Sequence, residues 1–234
     1  MTKCATADHI SIAVVIPLLN EEVVLPALLT MVRELPVDEV VLVDGGSSDN
    51  SCALLSQSGL RWIRAPAGRA IQMNTGAALC CSDTLLFLHA DSHITADAIH
   101  ELRHTLQRRS ILSGYFRVAL DSGAWYFKLI TFMINLRSRI SRVSTGDQGQ
   151  FIRRELFNRV GGFPNQPLME DIELSKTVKQ LGRVACLNGV VTTSCRRWQQ
   201  HGVIRTTLLM WWLRWRYWLG ASPARLAHEY RQVR

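Results

Sequence analysis

"TLLFLHADSH", Thr84–His93, decides how the fold is read. Its first residues are apolar enough for a buried strand, yet the run ends in His89 and Asp91, two potential metal ligands. Working outward, "IAVVIP" (12–17) and "EVVLVDGG" (39–46) are β-branched runs of strand length. Between them Val24, Leu28, Met31 and Leu35 recur at helical spacing. "LRWIRAP" (60–66) reads as a further strand, "GRAIQMNTGAALCC" (68–81) as a helix opened by glycine, and "ADAIHELRHTL" (96–106) as another helix. Strands alternating with helices predict an α/β fold with a mainly parallel sheet covered on both faces. Ligands of such sheets bind outside the carboxyl ends of the strands. Asp44 and Asp91 both stand there on this reading, so the strand delivers polar groups into a crevice.

Past "ILSGYFRVAL" (111–120) the alternation loosens. "WYFKLITFMINLRSRI" (125–140) is apolar, aromatic and basic, and reads as a helix. The tail "RTTLLMWWLRWRYWLG" (205–220) is rich in tryptophan. No repeat or low-complexity linker divides the chain. The expectation is one domain over residues 1–200, with residues 201–234 as its C-terminal helical extension.

A chain of 234 residues, 47% hydrophobic and 20% charged, suits one globular domain with a sizeable core. Its six cysteines show no Cys-x-x-Cys spacing, which argues against a zinc site or a disulfide framework. "MTKCATADHISIAVVIP" lacks the pattern of a secretory signal, and the expected compartment is cytoplasmic and reducing. The net charge of +8 fits nucleic acid, anionic lipid or a polyanionic substrate. No nucleic-acid-binding motif accompanies it, so nucleic acid is not an expected partner.

Four stretches occur together in order: "VVIPLLNEE" (14–22), "VLVDGGSSDNS" (41–51), "LLFLHADS" (85–92) and "LMEDIELS" (168–175). Together they resemble the family-2 glycosyltransferases of the GT-A fold, over about Ile12 to Trp198. "GRAIQMNTGAA", "HAD", "GDQGQFIRR" and "SCRRW" further resemble a subgroup linked to selenium- and arsenic-containing sugars, which includes selenosugar synthase. The resemblance implies a hexosyltransferase-type enzyme that uses a UDP-sugar, such as UDP-N-acetylglucosamine, and a divalent metal, Mn2+ or Mg2+.

The site residues follow from that resemblance, each beside a plainer reading. Asp44 would accept the N3–H of uracil, or else cap the "DGGSSDN" turn, a role expected of Ser48 and Asp49. Pro17, Asn20 and Glu21 lie on the turn that contacts the nucleoside in the family, while Glu22 suits a helix N-terminus. Gly68 and Arg69 open a helix, and an N-terminus with a guanidinium suits a diphosphate. In "HAD" the family pattern is Asp-x-Asp. Asp91 would bind the metal, and His89, replacing the first aspartate, would contact the nucleotide or make a strand-end hydrogen bond. His201 is a candidate second metal ligand.

In "MEDIEL" Asp171 matches the family's catalytic base, with Glu170 beside it; a helix start rich in acid is the plain alternative. Asp147 and Gln148 of "GDQ", with Arg196, Arg197 and Trp198 of "RRW", would complete the pocket. Trp198 would stack on a sugar or pack inside. Related synthases carry Gln-x-x-Arg-Trp; here Ser194 replaces the glutamine, which argues against processive chain growth. The expected reaction is inverting transfer to a small anionic acceptor, selenophosphate by the subgroup resemblance, or alternatively to a hydroxyl of a lipid phosphate or small metabolite. A nucleotidyltransferase would place a glycine-rich basic loop after the first strand, where "PLLNEE" is acidic. The tryptophan-rich tail is too short and too rich in arginine to span a bilayer. Packing over the site or homo-oligomerisation is the expected role, ahead of an interfacial membrane helix.

Overall fold

The structure is a computed structural model that describes residues 9–232, with side chains through Tyr230. The outer ends of both expected domain ranges, and the first eight residues of the segment read for a secretory signal, lie outside the described residues. Eight strands form one sheet in the order β3-β2-β1-β4-β7-β6-β8-β5. They are β1 (Ile12–Leu18), β2 (Glu39–Asp44), β3 (Trp62–Arg64), β4 (Thr84–Phe87), β5 (Ser92–Ile94), β6 (Ile111–Leu120), β7 (Gln150–Arg153) and β8 (Arg183–Thr193). Strands β3, β2, β1 and β4 run parallel, as the alternating pattern predicts. β7 is antiparallel to both β4 and β6, and β5 is antiparallel to β8.

The helices are α1 (Leu25–Glu34), α2 (Ser51–Gln57), α3 (Arg69–Ala78), α4 (Ala96–Leu106), α5 (Trp125–Ser141), α6 (Arg154–Arg159), α7 (Glu170–Leu181), α8 (Arg196–His201), α9 (Val203–Trp218) and α10 (Pro223–Gln232). The unbroken apolar character of β1 has a direct cause. Ile12, Val14, Ile16 and Leu18 face one core, built with α1 and α4, while Ala13 and Val15 face a second, built with α3, α6 and α7. A strand buried on both faces needs apolar residues at every position. Gly76 lets α3 lie close to the sheet, since a Cβ there would sit 2.8 Å from Val43 Cγ2.

β1 leads outward to β2 and β3, whereas β4 lies on its other side. The chain therefore reverses its winding between β1 and β4, and a crevice opens at their carboxyl ends. At the far end of the chain, Leu213 of α9 and Leu226 of α10 pack on Met169 and Ile172 at the start of α7. Tyr217 Oη donates to Glu173 Oε2 at 2.6 Å and seats α9 on α7.

Candidate active site

The loops after β1 and β2 are stitched together by polar side chains. Asn20, in the left-handed region at φ 56°, donates its backbone N–H to Ser47 Oγ, and its Oδ1 accepts the Ser48 N–H. The Glu21 N–H donates to Ser51 Oγ, and Glu22 Oε2 accepts the Asn50 N–H. Asp49 Oδ1 accepts the Ser51 N–H just ahead of α2, whose N-cap is Asn50, while Ser48 donates its N–H to Asn20 Oδ1. Gln72, fully inside, donates from Nε2 to the carbonyls of Leu18 and Val43 and ties the ends of β1 and β2 together.

Asp44 is fully buried at the end of β2. It accepts the N–H groups of Gly46 and Ser47 and pairs with Arg64 at 3.3 Å. Burial alone would raise its pKa, but the hydrogen bonds from Ser47 and Gly46, with Arg64, hold it below the ordinary carboxylate value. Its carboxylate therefore organises the turn. Pro17 lies half-buried in β1, in register with Val43.

Gly68 precedes α3 at φ 145°, a conformation that favours glycine, and α3 begins with Arg69 at the carboxyl edge of the sheet. Arg69 is 44% exposed and pairs with Glu170 at 3.4 Å. Asn74, one turn on, clamps the backbone of Phe163 with both amide atoms. The quoted "GRAIQMNTGAA" is thus a helix in which Arg69, Gln72 and Asn74 each hold a different part of the site's frame.

Asp171 is gripped by the N–H groups of Gly146 and Ile172, both at 2.7 Å. Burial, then the Glu170 carboxylate, push its pKa up to about 6 against those bonds and Arg69. Met169, directly before, is held at φ 67°, uncommon outside glycine and frequent at functional sites. A Cβ on Gly146 would collide with His89 Nε2, so the Gly-Asp-Gln turn, His89 and Asp171 meet at one point. His89 Nε2 is buried without a hydrogen-bond partner. Burial, with Arg69 and Arg197 nearby, holds its pKa well below the ordinary histidine value, so the ring is neutral at neutral pH.

Asp91 accepts Thr193 Oγ1 at 3.4 Å; burial raises its pKa against the pull of Arg197 and Arg196. Arg196 also reaches Glu21 at 3.6 Å. Asp147 Oδ1 is buried without a hydrogen-bond partner, in the electrostatic reach of Arg137.

Three further expected residues lie as follows. Gln148 is fully buried and its Oε1 accepts Ser138 Oγ at 2.7 Å, so it braces the turn from behind. Trp198 is partly buried and packs against Leu120, Phe127 and Cys195. His201 lines an open surface pocket with Arg197, Arg205, Thr206, Leu209, Met210 and Tyr230. Among the described residues no group of three or more His, Cys, Asp or Glu side chains is placed to hold a metal ion. Asp91, His89 and His201 therefore do not form a preformed metal centre.

Residues 13–163 match the family described as glycosyl transferase family 2. The chain belongs to that family. This family-2 glycosyl transferase has the GT-A fold, and the family match ends just before Glu170 and Asp171. It is similar to S. aureus TarS 1-349 in complex with UDP, at TM-score 0.66 and 17% identity, over 79% of this chain and 60% of that one. The mannosyltransferase PcManGT from Pyrobaculum calidifontis, in complex with GDP-Man and Mn2+, is similar at TM-score 0.66 and 18% identity, over 95% of this chain and 69% of that one. Glucosyl-3-phosphoglycerate synthase from Mycobacterium tuberculosis, in complex with phosphoglyceric acid, gives TM-score 0.57 and 21% identity, over 79% and 70%. The chain thus spans 60% of the length of the TarS chain. No curated protein matches it.

Sequence reading missed Arg137, Arg64 and Thr193. None falls in a quoted motif with a role attached, and each reaches the site only through the packing of α5, β3 and β8. Gln72 stood inside a quoted motif, but a lone glutamine on a helix gives no sign that it faces two strand ends.

Proposed function

We propose that this glycosyl transferase moves a sugar, with inversion, from a UDP-sugar to an anionic acceptor. The observation that carries sugar transfer at this site, whichever acceptor it takes, is Asp171: a carboxylate gripped by two backbone N–H groups, with a pKa of about 6, beside Arg69 at the carboxyl edge of the sheet. A base titrating near neutrality removes a proton most effectively from an attacking acceptor. Arg69 and Arg197 face the same space and suit a diphosphate. Asn20 and Glu21 with the Asp44 turn would line the nucleoside end, Asp44 acting through the turn it holds.

The residues also fit a divalent ion carried in on the donor. Mg2+ or Mn2+ needs one or two carboxylates beside phosphate oxygens, and Asp91 supplies one, with the unpartnered His89 Nε2 next in line. Such an ion neutralises charge on the departing nucleotide diphosphate. Arg69 and Arg197 add to that from the protein side, and His89, being neutral, adds no charge of its own.

Selenophosphate is the acceptor supported by the subgroup motifs. A hydroxyl of a lipid phosphate is the second reading, favoured by the raised pKa of Asp171, since an alcohol must lose a proton and selenophosphate is already anionic. Initial rates of Asp171→Asn and Asp171→Ala, with selenophosphate and with a panel of alcohols, decide between them. Selenophosphate predicts a smaller loss for Asp171→Asn than for Asp171→Ala. An alcohol predicts losses of about 10²–10⁴ for both. Full activity in both variants on every acceptor would remove Asp171 from the mechanism.

A further inference from the structure

Most of the large apolar side chains that this protein exposes lie on two helices. On α5 they recur at three- and four-residue steps, including Phe132 at 61% and Ile140 at 75% exposure. On α9 they recur likewise, including Trp215 at 52% and Trp218 at 75%. Each helix is therefore amphipathic with an apolar stripe turned to solvent. The inner face of α9 reaches α7 through Leu213 and Tyr217, while Trp211, Trp212, Trp215 and Trp218 are exposed. The helices also begin side by side, because Phe127 and Ile130 of α5 cluster with Trp198 and Val203 of α8 and α9.

The charge on these segments is one-sided. Between Asp121 and Asp147, and again between Glu173 and Glu229, the sequence contains no Asp or Glu. Those two stretches supply Lys128, Arg139, Arg142 and Arg205, all exposed. Arg216 is held by Glu229 and Arg196 by Glu21, so part of the basic charge is spoken for within the fold. The exposed remainder has no carboxylate on its own helix to answer it.

We propose that α5 and α9 dock this enzyme on the surface of an anionic lipid bilayer. Tryptophan rings settle at the boundary of headgroup and acyl chain, and arginines beside them reach the phosphates. No described helix is long and apolar enough to cross a membrane, so the enzyme would lie on the surface. A second copy of the chain is the poorer occupant. A twofold contact would bring two carboxylate-free basic faces together, and like charges across an interface are costly.

The test is co-sedimentation of the full chain with phosphatidylcholine vesicles, and with vesicles in which a third of the lipid is phosphatidylglycerol, while tryptophan emission is followed. Binding to the anionic vesicles only, with a blue shift and weakening at high salt, supports the proposal. Trp215→Ser/Trp218→Ser and Phe132→Ser/Ile140→Ser should each lower partitioning by about tenfold or more, with the circular dichroism unchanged. These positions are exposed, so folding should survive either pair. Equal binding to both vesicle types overturns the anionic assignment. No vesicle binding overturns the proposal, as does a dimer in sedimentation velocity that Trp215→Ser/Trp218→Ser converts to monomer. None of these readouts uses sugar transfer, so a failure here is distinguishable from a failure of the proposed reaction.

Discussion

Asp171 Oδ2 accepts the backbone N–H of Gly146 at 2.7 Å, joining the acidic start of α7 to the Gly-Asp-Gln turn. Through that bond the base candidate is positioned by backbone, which holds its place whatever its charge. The turn in turn presses on His89, so three separate motifs share one piece of geometry.

The first expectation concerns pH. With a hydroxyl acceptor Asp171 acts as a base only when ionised, so the rate on alcohols should fall as pH drops through about 6. Stability should move the opposite way. The folded-state pKa lies above the ordinary 3.8, so folding favours the protonated form, and the group's contribution is largest at low pH and lost as pH rises through about 6. Asp171→Asn should therefore melt higher than the unmodified protein at pH 8, with the gap closing in acid. Melting curves at pH 5 and pH 8 check this, and a gap that widens in acid would contradict it.

Gly146→Ala should damage both stability and turnover, because its Cβ would collide with His89 Nε2. Overpacking of this kind costs about 1–3 kcal/mol. His89→Ala in the same chain should relieve the clash, so the double variant should be more stable than the sum of the two single losses. Melting temperatures of the three variants measure this, and simple additivity would show that the contact is not the cause.

The parallel half of the sheet was legible because its strands are buried on both faces. Val14, Val15 and Ile16 admit hardly any other reading, and "ADAIHELRHTL" matches α4 residue for residue. β5 and β7 were not legible: three or four residues give too short a pattern, and their antiparallel pairing is set by partners far away in sequence. The site divides in the same way. Glu170 and Asp171, His89 and Arg69 were found from motifs and do converge. The pairing of Asp44 with Arg64, and the partial burial of Trp198 against the exposure of Trp218, depend on tertiary packing, and no residue spacing records that.

Gln72→Leu should weaken the frame of the nucleotide end. It leaves the carbonyls of Leu18 and Val43 without the donor they share, at about 1–3 kcal/mol per buried group. The expected result is a lower melting temperature together with a raised KM for the donor. An unchanged melting temperature would show that water replaces the amide.

Metal response should rest on Asp91 more than on His89. Asp91→Ala should abolish stimulation of turnover by Mn2+ or Mg2+, while His89→Asp should keep it, because a carboxylate there restores the usual pair of oxygen ligands. Titrating the metal against initial rate for each variant is the check. Unaltered metal response in Asp91→Ala would remove it as a ligand.

The most direct test of the central claim is release of nucleotide from UDP-, GDP- and dTDP-sugars by the unmodified protein, with Mn2+ or Mg2+ and with candidate acceptors. The account predicts that UDP-sugars are consumed in preference to the others, only with metal present, and faster with an anionic acceptor than with water alone. Consumption of none of the three donor classes by the folded protein, or an equal rate on UDP- and GDP-sugars, would contradict it.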